Sequence, residues 1–324
     1  MTVKQNCGNV LVGSIKNKSR MKISIYTFIQ LFVLAINSSD SFSKGSDEIT
    51  FTRAFADDSY GHYHVAVLQA ALNATPEYGT TNLKPDPNPM SQSRQLLTLL
   101  KGDADIMWSV TNSEREKKLI PIRLPLLKGF AGYRVFVIHP DNQYTFYHTP
   151  DVKALKQLSY VQGADWPDLE VLEYNGYNVT GEDWSLWFQS MYSLVERKLV
   201  DAFPRNIIEV RRDLARHKDK QIVLEKHHIL VYPNYEYFFV QPKDKALANR
   251  LRLGLIRILE SGELESIFQR FDSHAQAEAL ADSPHRRVHL LDNPSIPYKL
   301  NYARWNKNKS LAINALRSEI EQID

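Results

Sequence analysis

The side chain best suited to holding a small anion is Arg115, inside the charged run Glu114-Arg115-Glu116-Lys117-Lys118. It follows the segment DADIMWSV, which reads as a short strand, so Arg115 would be presented from a strand-to-helix turn. A guanidinium offers a planar fork that matches a carboxylate through two parallel hydrogen bonds. The first free N–H groups of the following helix favour the same charge. The competing reading of the run is a solvated charged face, and the sequence leaves both open. Phe55 and Tyr60 after the first predicted strand, and Trp108 at the end of the third, are candidate walls for such a site. Flat rings bury the planar or apolar part of a ligand at small entropic cost.

Other chemistries lack their residues. His62 and His64 stand two apart on a predicted helix and point to different faces, while His227 and His228 would face opposite sides of a strand. With no H-E-x-x-H, EF-hand or Cys/His pattern, neither a metal ion nor a cofactor is expected. Without G-x-S-x-G, a P-loop or G-x-G-x-x-G there is no positive case for catalysis, and no enzymatic activity is expected. The single cysteine, Cys7, precedes the apolar run and leaves no thiol downstream. The formal charge is +3, but residues 1–43 hold Lys4, Lys16, Lys18, Arg20 and Lys22 against Asp40 alone. Taking that +4 away leaves residues 44–324 near −1, without the basic field that nucleic-acid binding requires.

The elements that must position these residues alternate between strands and helices, the pattern of an α/β fold. ITFTRAF reads as a strand and HYHVAVLQAALN as a helix. Ser91 is placed to cap the helix SQSRQLLTLL, and Gly102 to end it. GYRVFVIHP is a run of strong β-formers stopped by Pro140. The pattern then repeats through the strand SYVQG, the amphipathic helix SLWFQSMYSLVERKLV, the strand and turn DAFPRN, and the aromatic strand YEYFFVQP. Helical pieces around Gly262 follow, and residues 284–324 read as a tail packed on the domain surface.

Ahead of these elements, Lys18, Arg20 and Lys22 precede the uncharged run ISIYTFIQLFVLAI, and a small polar segment ends at Ser43. This is the order of a cleaved secretory signal, with an upstream extension before Met21. The run has fourteen residues, which at about 1.5 Å each span about 21 Å, short of the roughly 30 Å hydrocarbon core. A periplasmic product, free of the membrane, is the expectation.

The order of six segments between Ile49 and Phe271 resembles the family 3 periplasmic solute-binding proteins. They are ITFTRAF, the helix before KGDADIMWS, the turn TNSEREKKLIPIRLPLLKG, the strand GYRVFVI, the junction ERKLVDAF, and FFVQPKDKALANRLRLGLIRILESGELESIFQRF. The chain departs from the family at Gly61-His62-Tyr63-His64, where an aspartate usually stands, and in the spacing of Thr111 to Arg115, so it resembles a divergent branch. The resemblance implies the type 2 periplasmic binding fold: two α/β lobes joined by two crossing hinge strands, with the ligand in the cleft. Lobe one would be residues 44–133 plus 238–283, and lobe two residues 138–232. The crossings would lie within Gly132–Val137 and Asn234–Tyr237.

On this reading Arg115 holds a ligand carboxylate and Asp201 faces the ligand's amino group from the other lobe. Arg205 and Arg134 are further cleft candidates. A small polar ligand, captured by a monomer for a membrane transporter permease, is the implied function. A sensory domain serving a membrane signalling partner is the alternative, and a dehydratase-type enzyme on the same fold a third. N-terminal sequencing of protein recovered from a periplasmic extract should begin near residue 44; an intact Met1 or Met21 in a membrane fraction would reject cleaved export.

Overall fold

The computed structural model describes residues 47–54, 61–183 and 187–321. Two separate β-sheets carry the fold. The first contains β1 (Asp47–Phe51), β2 (Thr81–Pro85), β3 (Ile106–Val110), β4 (Ile120–Ile122) and β11 (Glu236–Val240), in the order β2-β1-β3-β11-β4. β1 runs parallel to β2 and β3, and β11 is antiparallel to β3 and β4. The second contains β5 (Tyr133–Ile138), β6 (Ser159–Gly163), β7 (Asn178–Glu182), β8 (Ala202–Asn206), β9 (Val223–Leu224), β10 (His228–Val231) and β12 (Arg287–Leu290). Its order is β12-β10-β5-β8-β6-β7, with β9 paired to β5 off this path. This is the two-lobed α/β architecture that the sequence resemblance implies.

The chain passes from the first sheet to the second between β4 and β5, and returns between β10 and β11. The two passages touch: Tyr232 N–H donates to the Gly132 carbonyl over 3.1 Å. A Cβ on Gly132 would sit 1.9 Å from the Tyr232 oxygen, so only glycine lets the two backbones come this close. Asn206 and Asn234 both donate their side-chain amides to the Ala131 carbonyl beside it.

Helices cover the sheets where apolar faces and caps dictate. Ser91 Oγ accepts from Arg94 N, and the helix Gln92–Lys101 ends at Gly102 in the left-handed conformation, as the sequence predicts. Asp244 caps the helix Lys245–Ser261 at Leu247 N over 2.9 Å. Leu247, Leu251, Leu255 and Ile258 then repeat every three or four residues on one buried face, within one core cluster that also holds Val67, Leu68 and Ala71. Each fully buried Leu or Ile contributes about 1.5–3 kcal/mol.

The segment after residue 283 does more than lie on the surface. β12 pairs with β10 in parallel, from His228 opposite Arg287 to Val231 opposite Leu290, and so extends the second sheet. The chain then returns to the first lobe, where Trp305 is 1% exposed and donates its Nε1–H to the Pro125 carbonyl over 2.8 Å. The final helix Lys309–Glu321 packs on Lys245–Ser261, and Glu319 bridges Arg252 at 2.9 Å and Arg123 at 3.0 Å. Residues 1–43, read as a signal segment, lie outside the described residues. Among the described residues no helix is long and apolar enough to cross a membrane.

Removing a buried tryptophan costs about 3–5 kcal/mol. Urea unfolding of Trp305→Ala should show a loss of that size, whereas a change within about 0.5 kcal/mol would return the segment to a surface tail.

Candidate ligand-binding site

Both lobes contribute to a cavity of about 200 Å³. At the roughly 10–15 Å³ that a water-sized group requires, it has room for on the order of a dozen such groups. The first lobe lines it with His64, Gln92, Trp108, Ser109 and Glu236, and the second with Arg134, Trp166, Asp168, Arg205, Glu209 and Arg212.

The aromatic wall is set by close packing. Gly61, at the start of the helix His62–Asn73, has φ +102, and any Cβ there would meet the Trp108 ring at 2.7 Å. His64 lies flat against Trp108, with centroids 5.1 Å apart and planes 2° from parallel, and its Nε2 touches the Glu236 carboxylate. Phe55 and Tyr60, the other two predicted wall residues, lie outside the described residues; Ala54 and Gly61, which flank that segment, both line the cavity.

Arg134 stands on β5 and is 5% exposed. Its Nε donates to Asp168 Oδ1 over 3.1 Å and its Nη2 to the same oxygen, which also accepts from Tyr232 Oη and from Asn234 Nδ2. Burial alone would lower the Arg134 pKa, but the Asp168 charge more than offsets it and the pKa lies above the ordinary value. Its Nη1 is buried and has no hydrogen-bond partner among the described residues. Arg205, on β8, donates Nε and Nη2 to Asp213 Oδ2 over 2.8 and 2.6 Å and reaches Glu209 at 2.8 Å.

Arg115 does not line the cavity. Asn112 Oδ1 caps its helix, Ser113–Lys118, by accepting from Arg115 N over 2.8 Å, and the side chain turns into the protein. Its Nη1 donates to Ser109 Oγ over 2.8 Å and to the Val110 carbonyl, and its Nη2 to Gln92 Oε1 over 2.8 Å. All three acceptors belong to residues of the cavity wall, so the guanidinium lies one layer behind it. Among the described residues no carboxylate lies within ion-pair distance of Arg115. Burial pushes its pKa down to about 10, and the more distant Asp165 and Asp168 offset this only in part.

Asp201 is placed elsewhere: its Oδ2 accepts from Ser159 N and Oγ over 2.8 and 2.7 Å, fastening β8 to β6. Of the predicted site residues, the structure thus brings Trp108, Arg134 and Arg205 to one cavity, sets Arg115 behind it and Asp201 apart. Sequence reasoning missed Asp168 and Glu236, and weighed His64 only as a metal ligand. Glu236 had a signal, since it sits in the predicted return crossing; Asp168, in WPDLE, reads only as a favourable charge at a helix N-terminus. Among the described residues no group of three His, Cys, Asp or Glu is placed to hold a metal ion.

No protein-family profile matches the sequence, and no curated protein matches it. Solved structures match in fold. The extracellular-binding protein ytmK of Bacillus subtilis, ascribed to an amino-acid ABC transporter, is 15% identical with a TM-score of 0.52, over 70% of this chain and 98% of that one. An ancestral arginine-binding protein bound to arginine is 14% identical with a TM-score of 0.52, over 70% and 98%. A histidine kinase sensor domain with similarity to periplasmic binding proteins is 14% identical with a TM-score of 0.50, over 70% and 95%. The fold is therefore that of the two-lobed periplasmic binding proteins.

His274 also lines the cavity, its ring 4.5 Å from that of Tyr63, and its Nδ1 bonds the Phe268 carbonyl over 2.9 Å. Burial pushes its pKa down to about 4, below the ordinary value near 6.5. The folded state then binds fewer protons than the unfolded one between these values. Stability from this group is complete above pH 6.5 and is lost as pH falls towards 4, with a slope approaching about 1.4 kcal/mol per pH unit. Melts of wild type and His274→Gln from pH 7.5 to 4.5 should show a shallower fall in the variant; parallel curves would refute a buried neutral imidazole.

Proposed function

We propose that this chain is a solute-binding protein whose cleft captures a small, polar, carboxylate-bearing molecule for a membrane transporter. The observation that carries the reading is the buried guanidinium of Arg134, at a cavity lined from both lobes, with Nη1 left without a partner among the described residues. A buried donor without an acceptor costs about 1–3 kcal/mol, and more when it is charged. A ligand carboxylate recovers that cost and adds a charge-assisted bond. The aromatic surfaces of Trp108 and Trp166 supply apolar contact for the rest of the molecule.

A second reading is a sensory domain that reports ligand binding to a membrane partner, and the similarity to a histidine kinase sensor domain favours it. Both readings use the same cavity. The neighbouring genes, encoding permease components or a signalling protein, distinguish them.

The molecule released by mild denaturation of the purified protein, identified by mass spectrometry, should titrate back into the emptied protein. Arg134→Ala would strand Asp168 as a buried unpaired charge at about 3–5 kcal/mol of stability, so the informative change is Arg134→Lys. An ammonium keeps the ion pair but lacks the second arm of the fork. Calorimetry should then show binding weakened by about ten- to a hundredfold, or roughly 1.4–2.7 kcal/mol, in a protein that still melts cooperatively. Unchanged affinity would remove Arg134 from the site.

A further inference from the structure

We infer that residues 282–286 are a tether between the lobes that bounds how far they rotate about the two passages. This tether acts on how the cleft moves and not on what it holds, so its test is independent of the solute reading.

The chain changes lobe four times, not twice. After the two passages already described, it leaves the first lobe at the helix Asp272–Ala281, enters the second at β12, and is back in the first by Trp305. Both ends of the third change are firmly seated. On the first-lobe side Ala277 is fully buried, the His274 ring packs on Tyr63, and Glu278 lies 3.5 Å from the buried Lys128 ammonium. On the second-lobe side Arg286 donates Nη1 to the His228 carbonyl over 2.8 Å and Nη2 to the Glu225 carbonyl over 2.6 Å. Arg287 follows, its N–H donating to the His227 carbonyl over 2.7 Å and its Nη2 to the Tyr147 carbonyl over 3.0 Å.

Where the tether attaches decides what it restrains. Gly132, Tyr232 and Asn293, which donates to the Pro233 carbonyl, stand in a row at one end of the second sheet. Lobes joined only along such a row can still rotate about it. β12 runs parallel to β10, so Arg287 lies opposite His228, while Leu290, at the end near the row, lies opposite Val231. At about 3.3 Å per residue the tether enters the second lobe about 10 Å from the row. An attachment off the axis resists rotation about it.

The connection has little slack. Asp282 N–H still donates to the Glu278 carbonyl of the helix over 3.0 Å, and Arg286 N–H donates to the Ser283 carbonyl over 3.3 Å, closing a turn through Pro284 and His285. Such a turn holds its outer Cα atoms within about 7 Å, and three extended steps reach about 10–11 Å, so straightening it yields only about 4 Å. That travel, about 10 Å from the axis, allows roughly 20° of rotation.

The test uses the whole chain, free of ligand, with Cys7→Ser removing the single native thiol. Spin labels are placed on Leu97→Cys in the first lobe and Tyr174→Cys in the second, both exposed positions. Six Gly/Ser residues inserted between Ser283 and Pro284 add up to about 20 Å of reach. Pulsed EPR should show an inter-lobe distance distribution at least about twice as wide with the insertion as in the parent, in a protein that still melts cooperatively. The same six residues between Lys218 and Asp219, inside the second lobe, should leave the distribution as it is in the parent. Equal widths in the parent and the tether insertion, or equal widening by both insertions, overturns the tether. Should the first insertion melt without cooperativity, the same residues between Pro284 and His285 carry the same two outcomes.

Discussion

One carboxylate oxygen holds the middle of this molecule. Asp168 Oδ1 accepts from Arg134 on the outgoing passage between the lobes and from Tyr232 and Asn234 on the return, while Asp168 itself opens a helix of the second lobe. With Gly132 and Tyr232 in backbone contact beside it, both passages are fixed to each other and to that helix. Such a knot is costly to leave incomplete, because removing one member of a buried ion pair costs about 3–5 kcal/mol. It also explains where the cavity lies. The guanidinium that ties the passages together has a third nitrogen, and among the described residues that nitrogen has no partner.

The terminal segment adds a second restraint to the same place. After β12 the Leu291 amide donates to Val231, the last residue of β10, and the Asn293 side chain to Pro233 on the return passage. Leu300 N–H donates to Tyr235 Oη over 2.9 Å, and the Tyr298 ring stacks on Tyr235, with planes 7° apart. Ser113 donates both N–H and Oγ–H to the Ser295 carbonyl, over 2.9 and 2.7 Å, at the start of the helix that carries Arg115. Two passages alone leave lobes free to rotate about them. Here the return passage is flanked by a segment anchored in both lobes, so rotation must carry that segment along or break its bonds.

Local features of this architecture were legible in the sequence, and long-range ones were not. Ser91 and Gly102 bound a helix because a hydroxyl cap and a left-handed glycine act within a few residues, and GYRVFVI is a strand on propensity alone. β12 has four residues, and its parallel partner β10 lies some sixty positions earlier, so no local signal separates it from a loop. The sequence puts Arg115 just after a strand, where the structure has the helix Ser113–Lys118, but the direction of its side chain depends on Gln92, a residue twenty-three positions earlier on another helix. Asp168 shows the same limit. Its partners lie 34, 64 and 66 residues away, and only the folded chain reveals that they share one oxygen.

The first turn of the helix Gln92–Lys101 brings these strands together. Ser93 receives the Asp165 carboxylate from the opposite lobe at 3.2 Å, where a negative charge on a helix N-terminus contributes about 0.3–1 kcal/mol. Gln92, the neighbouring residue, accepts from Arg115 and faces the cavity. A contact between the lobes and a support of the binding wall are therefore adjacent on one rigid turn. The contact is too weak to hold the lobes together by itself, since its energy is about that of thermal agitation. A ligand that pairs with Arg134 on one side and presses against the Gln92–Ser109 wall on the other spans the same gap with charge-assisted bonds worth several times more. On the proposed reading, closure would depend on what fills the cleft, and the Ser93–Asp165 contact would set only the register in which the two lobes meet.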